Sequence, residues 1–283
     1  MNFQNVTDIS GISFSNFDYG ASWGDYNNDG LPDLWTSNHF QPASLYQNNG
    51  NGTFTDVAGS VFQQGAPIGD KHGAAWGDFD NDGDLDLILL VGAVSGTGIG
   101  PNQLWVNENG TFVNRAEQLG VDNPSSRGRM PLWLDYNRDG NLDLVTTAIA
   151  RPDGLAPSTI YRASNGGFVE DAAATGFAQV SSQFSALSDL TGDGIAELIV
   201  DSNSIIKPVT IYDTSTIPFR DITNELLGGI NVGTFEDLAI ADFNGDLRND
   251  LYFTRYELPG TSALQEDDND GLGVTLVDRK SVV

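Results

Sequence analysis

The 283-residue sequence predicts an all-β fold, a β-propeller of four-stranded antiparallel blades with five blades visible. Three observations predict it. An acidic nine-residue pattern recurs five times, led by Asp25, Asp78, Asp135, Asp189 and Asp242, hence at intervals of 53, 57, 54 and 53 residues. Each copy lies between a short run of small and apolar residues and a β-rich run. Further short β-runs follow, divided by Asn-Gly or Gly-Gly hairpin signals. Short strands at even spacing within such a period are the pattern of propeller blades, which bury their faces only by stacking on neighbours.

In each unit the elements come in a fixed order. The first strand is the run in GASWGD, GAAWGD, MPLWLD, SALSD or LAIAD, and the acidic loop joins it to the second strand. The second strand is DLWTSN, DLILLV, DLVTTA, ELIVDS or DLYFTR. The third carries an aromatic in register, as SLYQN, QLWVN, TIYRA and VTIYD. The fourth is the GTFTDVAGS, GTFVNRAEQLG, GGFVEDAAATG or PFRDITNELLG segment. Trp23, Trp76 and Trp133 hold equivalent positions, as do Tyr46, Trp105, Tyr161 and Tyr212. Aromatics repeated in register are expected in the core between blades rather than on a sugar-stacking surface.

The loops themselves read WGDYNNDGLPDLW (23–35), WGDFDNDGDLDLI (76–88), WLDYNRDGNLDLV (133–145), LSDLTGDGIAELI (187–199) and IADFNGDLRNDLY (240–252). As a strand, the second copy would set five carboxylates on one face, where like charges repel. As a helix, its Asn-Asp-Gly centre is a poor former. Oxygen donors at alternate positions of a tight loop instead converge on one point, and a later acid closes the shell, the chemistry of a calcium loop. A cage of many protein oxygens favours Ca²⁺ over Mg²⁺, which keeps several of its waters.

The spacing therefore predicts up to five Ca²⁺ sites. Side-chain ligands are Asp25, Asn27, Asp29 and Asp33; Asp78, Asp80, Asp82 and Asp86; Asp135, Asn137, Asp139 and Asp143; Asp189, Thr191, Asp193 and Glu197; and Asp242, Asn244, Asp246 and Asp250. The seventh position offers its backbone carbonyl, from Leu31, Asp84, Asn141, Ile195 and Arg248. A turn glycine such as Gly83 precedes it. The fourth copy departs in Thr191 and the longer Glu197. The fifth has Gly245 at position four and Leu247 in place of the turn glycine, a strained choice if φ there is positive.

Composition narrows the function. A net charge of −26, from 39 acidic against 13 basic residues, excludes a nucleic-acid partner, which needs clustered Lys and Arg. With 39% hydrophobic residues the chain has enough apolar content for a core. There are no cysteines, so disulfides and thiolate metal sites are excluded. No run approaches the roughly 20 apolar residues of a membrane span, so no membrane insertion is expected. The opening MNFQNVTDIS has neither a basic start nor an apolar segment and is not a signal peptide.

The repeated unit resembles the FG-GAP/VCBS repeat, the blade of integrin α-chain propellers. The wording WGDYNNDGLPDL…SLYQNNGNGTFTDV is especially similar to the bacterial ASPIC-associated and cartilage acidic protein group. The resemblance covers nearly the whole chain. It implies a calcium-bearing propeller that is extracellular, at the cell surface or periplasmic, with adhesion, matrix or carbohydrate-recognition roles. The function expected is a calcium-stabilised binding or adhesion module that presents its loops to a protein or glycan. The alternative is a lectin or a carbohydrate-active enzyme of lyase or dehydratase type on the same propeller.

The domain is expected to span residues 1–277, with a strand over 3–8 that belongs to the closing blade. Two arrangements stay open: a five-bladed ring closed by that strand, or part of a seven-bladed ring, seven being the family's expectation. After its second strand the last unit reads as irregular. The terminal DRKSVV (278–283) is encodable by a common sequencing-adapter sequence and is taken as a non-native tail. The acidic EDDNDG (266–271) lacks the nine-residue form and is read as a solvated loop.

No G-x-S-x-G, H-E-x-x-H, P-loop or cysteine nucleophile is present, so no catalytic residue is assigned. An enzyme would show a non-repeating cluster of His, Tyr, Lys or Arg. Lys71, His72, Arg127 and Arg129 break the repeat near first-strand starts, and His39 and His72, the two histidines, fall at one rim of the first two units. Asn5, Asn51 and Asn109 head formal glycosylation sequons; the latter two coincide with hairpin turns, and no glycosylation site is assigned.

Overall fold

The computed structural model describes residues 4–13, 17–177, 181–201, 209–230, 232, 237–245, 247–256 and 272–277; for 255–256 and 272–277 it describes the backbone alone. The chain is all-β, in two compact units: Met1–Ala172 with Ala178–Val180, and Ala173–Phe177 with Ser181–Val283.

The first unit holds three four-stranded antiparallel meanders. The first contains β1 (Ala21–Gly24), β2 (Asp33–Thr36), β3 (Ser44–Asn48) and β4 (Phe54–Asp56). The second contains β5 (Lys71–Gly77), β6 (Asp86–Val91), β7 (Gln103–Asn107) and β8 (Phe112–Asn114). The third contains β9 (Gly128–Leu134), β10 (Asp143–Ala148), β11 (Thr159–Ser164) and β12 (Gly167–Glu170). In the second unit β13 (Ser185–Ser188), β14 (Glu197–Asp201), β15 (Val209–Asp213) and β16 (Arg220–Asp221) make a fourth such sheet. The fifth has three described strands, β17 (Asp237–Ala241), β18 (Asp250–Tyr256) and β19 (Leu272–Val277). The stretch expected to be irregular after the last loop thus ends in a strand, because Leu272–Val277 alternates well enough to pair with β18 along its length.

One register recurs. In four of the sheets the leucine after the ninth-position acid faces the first strand's large residue on one side and the third strand's aromatic on the other, while Leu251 of the fifth lies between Ile240 and Val277. Leu34 lies between Trp23 and Tyr46, Leu87 between Trp76 and Trp105, Leu144 between Trp133 and Tyr161, and Leu198 between Leu187 and Tyr212. Cross-strand pairs of this kind are the unit of sheet stabilisation.

The second strands of the first four sheets are buried along their whole length, and in β6 both faces are covered by apolar side chains. Every residue of β6 is buried. Its Leu87 and Leu89 join Trp35, Leu45, Trp105 and Phe112 on one side. Its Ile88 and Leu90 join Leu104, Val106, Leu144, Tyr161 and Phe168 on the other. A sheet sandwiched in this way needs a continuous apolar run rather than alternation. In the second unit Ile199, Val209, Ile211, Leu238, Leu251 and Phe253 form the corresponding core.

The repeated tryptophans divide. Trp76 and Trp133 pack against the preceding first strand, donating from Nε1 to the carbonyls of Ser22 and Ala75, at 3.4 Å each. Trp23 departs from the expected core role: it is 57% exposed, and within its unit β1 has no first strand before it on which the ring could pack. Tyr46, Trp105 and Tyr161 are buried as expected.

Each fourth strand ends in a helical turn that the strand pattern did not foretell: α2 (Ala58–Val61), α3 (Ala116–Leu119), α4 (Ala172–Thr175) and α5 (Thr223–Leu227), matched by α1 (Thr7–Ser10) at the start of the chain. An acidic or amide side chain starts each of the four later turns. Asp56, Asn114, Glu170 and Asp221 accept from the N–H groups of Ala58, Ala116, Ala172 and Thr223 at 2.8–3.1 Å. The strand expected over 3–8 is accordingly corrected at Thr7 and Asp8, which are helical, and residues 4–6 are not in a strand. Phe3 and the tail 278–283 lie outside the described residues, as does EDDNDG.

Candidate functional site

The five acidic loops link β1 to β2, β5 to β6, β9 to β10, β13 to β14 and β17 to β18. Each lead aspartate acts as a template for its own loop. Asp25 accepts from the N–H groups of Asp29 (3.0 Å) and Gly30 (2.8 Å), and Asp78 from Asp82 and Gly83 (3.0 Å each). Asp135 accepts from Asp139 (3.0 Å) and Gly140 (2.9 Å), and Asp189 from Asp193 (3.2 Å) and Gly194 (3.0 Å). In the fifth loop Asp242 accepts from Gly245 (2.6 Å) and Leu247 (2.9 Å). The third-position Asn27 and Asn137 accept from the same fifth-position N–H groups, at 3.1 and 2.9 Å.

The fifth-position acids Asp29, Asp82, Asp139 and Asp193 each accept from the seventh-position N–H of Leu31, Asp84, Asn141 and Ile195 at 2.9 Å. That bond curls the chain at the residue whose carbonyl is the expected ligand. Thr191, at the third position, instead donates its hydroxyl to Glu197 (3.1 Å). Asn244 and Arg248 are exposed, and Asp246 lies outside the described residues.

The ninth-position acids Asp33, Asp86, Asp143, Glu197 and Asp250 begin the second strands and are at most 1% exposed. Each accepts from the N–H of its loop's second residue: Tyr26 (3.3 Å), Phe79 (3.3 Å), Tyr136 (3.2 Å), Leu190 (2.6 Å) and Phe243 (3.0 Å). In the first three a second oxygen accepts from the third strand, at Asn48 (2.7 Å), Asn107 (2.9 Å) and Ala163 (2.8 Å). Among the described residues, none of Asp33, Asp86, Asp143 or Glu197 pairs with a lysine or arginine. Burial pushes Asp86 up to about 8 and Asp143 up to about 6, against the lowering effect of those N–H donors. It also raises Asp33 and Glu197. A carboxylate taken out of water is costly unless a cation compensates it.

Two left-handed residues close every turn. Position four is Asn28, Asn81, Arg138, Gly192 or Gly245, with φ between 57° and 82°. Position six is glycine in four loops, where the chain must turn back on itself, and Leu247 in the fifth at φ 68°. The strain anticipated for Leu247 is therefore present, and its side chain is 94% exposed.

Neighbouring loops are tied together within the first unit. Asn28 donates from Nδ2 to the Gly83 carbonyl (3.1 Å) and to Asp84 (2.8 Å), and Asn81 donates to Asn141 (3.3 Å). Asp78, Asp80 and Asp86 each bring a carboxylate oxygen within 4.8 Å of the others. Beside them a cavity of about 500 Å³ is lined by Asp80, Asp82, Glu108, Arg115, Asn141 and Asn165, among others. The sequons at Asn51 and Asn109 are turn residues: Asn51 accepts from Thr53 N–H (3.0 Å), and Asn109 is left-handed.

At the opposite ends of these strands the structure collects residues that do not repeat. His39, past the end of β2, places Nε2 2.7 Å from Asp70 Oδ1, and His72 of β5 places Nε2 3.3 Å from the same oxygen. The Tyr19 ring meets both imidazoles, at centroid distances of 4.6 and 5.4 Å. Lys71 is fully buried and donates to the carbonyls of His39, Gln41 (2.6 Å) and Gly69 (3.4 Å). Burial pushes Lys71 down to about 8. Burial first, then the charge of Arg129, pushes His72 down to about 4. The sequence flagged Lys71, His72, Arg127 and Arg129 by their failure to repeat, and His39 as the second of two histidines. It gave no sign of Asp70 or Tyr19, which look like ordinary loop residues until the fold brings them in.

The fold and loops define a class: a repeat protein of bladed antiparallel sheets with an oxygen-rich acidic turn in each blade. Residues 25–89, the first loop through the second, match the family model of the FG-GAP-like repeat, the family that the motifs resemble. Cartilage acidic protein 1 of Xenopus tropicalis is 26% identical over 207 residues, 68% of this chain and 30% of that protein, so the chain spans about a third of the length of this relative. Among solved structures, the V. cholerae biofilm matrix protein Bap1 superposes with a TM-score of 0.45 at 15% identity, over 89% of this chain and 37% of its own. A Bacillus licheniformis rhamnogalacturonan lyase superposes with a TM-score of 0.47 at 14% identity, over 93% and 49%.

Proposed function

We propose that this chain is a calcium-stabilised extracellular binding module that presents its blade loops to a protein or glycan partner. The observation that carries the proposal is the set of ninth-position acids, buried at strand starts with no basic partner for Asp33, Asp86, Asp143 or Glu197 among the described residues. The ligand atoms expected of each loop are oxygens throughout, which suits a hard cation of high coordination number. Calcium would supply the missing charge, and its binding would be part of the folding free energy. A single site at a hundred times its Kd adds about 2.7 kcal/mol. Extracellular modules bind with Kd of roughly 10⁻⁴–10⁻³ M, matched to calcium outside cells. A relative named for cartilage, an extracellular matrix, agrees with that location.

The test is a thermal melt in millimolar Ca²⁺, in equal Mg²⁺ and in chelator. A rise of many degrees with Ca²⁺ and little with Mg²⁺ is expected. An unchanged melting temperature in a folded sample would reduce the loops to acidic turns.

The His39–Asp70–His72 cluster favours a second reading, a carbohydrate-active site with Arg129 as the anion-binding group. Exposed Tyr19 and Phe40 flank it and offer faces for a sugar ring. Incubation with acidic polysaccharides, followed by absorbance of unsaturated products, tests it: no product from any of them removes the lyase form of this reading.

A further inference from the structure

We infer that His39, Asp70 and His72 form a site for one transition-metal ion of the zinc type, separate in place and in chemistry from the acidic loops. It goes beyond the calcium proposal and does not depend on it. His39 Nε2, Asp70 Oδ1 and His72 Nε2 all lie within 4.8 Å of one another, with the two nitrogen-to-oxygen separations at 2.7 and 3.3 Å. Ligands bonded at about 2.0–2.2 Å in a tetrahedral shell stand roughly 3.3 Å apart, so small adjustments of two imidazoles suffice. Two imidazole nitrogens and one carboxylate select zinc, cobalt, nickel or copper over calcium and magnesium, which take oxygen.

The surroundings hold this triad in place. Asn38 and His39 are both left-handed, at φ 50° and 39°, an uncommon pair for residues with side chains. That backbone is secured from two sides. Lys71 Nζ donates to the carbonyls of His39 and Gln41, and Asn38 Nδ2 donates to the Pro42 carbonyl and Ser44 Oγ at 3.0 Å each. Backbone strain stabilised in this way delivers the His39 imidazole to Asp70, which a solvated loop histidine does not require. Gly92 keeps the space open: a Cβ there would sit 2.7 Å from His72 Nε2 and 2.8 Å from Asp70 Oδ2. The three side chains are 12–17% exposed, so solvent reaches the site. Three protein ligands leave a fourth position for water or a substrate oxygen, the arrangement of open rather than structural zinc sites.

The experiment uses the full chain, stripped with chelator and returned to millimolar Ca²⁺ so that the acidic loops are occupied. Zn²⁺ is then titrated against a chromophoric chelator, and Co²⁺ is added in a parallel sample. One Zn²⁺ bound per chain is expected, with intense visible bands from Co²⁺ in a low-coordinate site. His39→Ala and His72→Ala should each weaken Zn²⁺ binding by at least about 100-fold while the calcium-dependent melt is kept. Failure of the wild-type chain to bind stoichiometric Zn²⁺ in calcium would overturn the inference without any variant. So would binding of the same strength in folded His39→Ala and His72→Ala.

Discussion

The side-chain amide of Asn107 donates to the carbonyl of Tyr26 at 2.8 Å, tying the third strand of the second sheet to the first acidic loop. The same side chain donates to Leu85 O (3.2 Å) and accepts from Gly110 N–H (2.7 Å), while its backbone N–H holds Asp86. Asn107→Ala would leave the Tyr26 carbonyl buried without this donor, at a cost of about 1–3 kcal/mol. The melting temperature should fall both with calcium and without it. A melt that falls only with calcium present would place the residue's role in the calcium loop instead.

Gly77 is set by the next blade. A Cβ on it would stand 2.6 Å from the Trp133 indole, so Gly77→Ala forces the ring or the strand to move, for about 1–3 kcal/mol. Gly59, exposed in the helical turn Ala58–Val61, has nothing within 4 Å of a built Cβ. Gly59→Ala should stabilise by roughly 0.5–1 kcal/mol through the helical preference of alanine. Urea unfolding of the pair checks the opposite signs, and equal effects would count against the close approach of Trp133.

Leu247 holds a left-handed backbone that its side chain opposes, with no compensating burial. Leu247→Gly should remove a strain of about 1–2 kcal/mol and tighten calcium at the fifth loop. Calcium titration of the variant against the parent is the measurement. A weaker fifth site would show that the leucine serves the loop in some other way.

Much of the fold was legible because the repeat writes the same physics five times. In the first four units the leucine after the ninth acid, the aromatic on the third strand and the turn glycine before the seventh position all fell where the spacing set them; the fifth keeps only the leucine. The helical turns after the fourth strands were harder to see, since four or five residues give no 3.6-residue periodicity and their signal is only an acidic or amide start such as Asp56 or Asn114. Trp23 was misplaced because its equivalents Trp76 and Trp133 pack on the first strand before their own, and within its unit β1 has no first strand before it. Of the candidate site, the loop templates were legible, but the use of each lead aspartate to hold two loop N–H groups was not. Asp70 and Tyr19 had no periodic signature at all. Only the fold brings them to His39 and His72.

The buried ninth acids also fix how stability must depend on pH in the calcium-free chain. Folding raises Asp86 to about 8 and Asp143 to about 6, both from an ordinary value of 3.8. Well below pH 4 both folded and unfolded chains carry the proton, and these groups make no difference. As pH rises past about 4 the unfolded chain ionises while the folded chain retains its protons, so the unfolded state gains relative to the folded one. Calcium-free stability should therefore fall from about pH 4 and level off above about pH 8, where Asp86 ionises in the folded chain too. Calcium bound as proposed would displace those protons, so its stabilising effect should grow across the same window and its binding near neutral pH should release protons. Net negative charge acts in the same direction through self-repulsion, and Asp86→Asn separates the two. In chelator that variant should lose part of the pH slope above about pH 5, and in calcium it should lose much of its thermal response. Thermal melts from pH 4 to pH 9, with and without chelator, read both effects. A wild-type chain that grows more stable in chelator as pH rises would rule out neutral buried carboxyls at the strand starts.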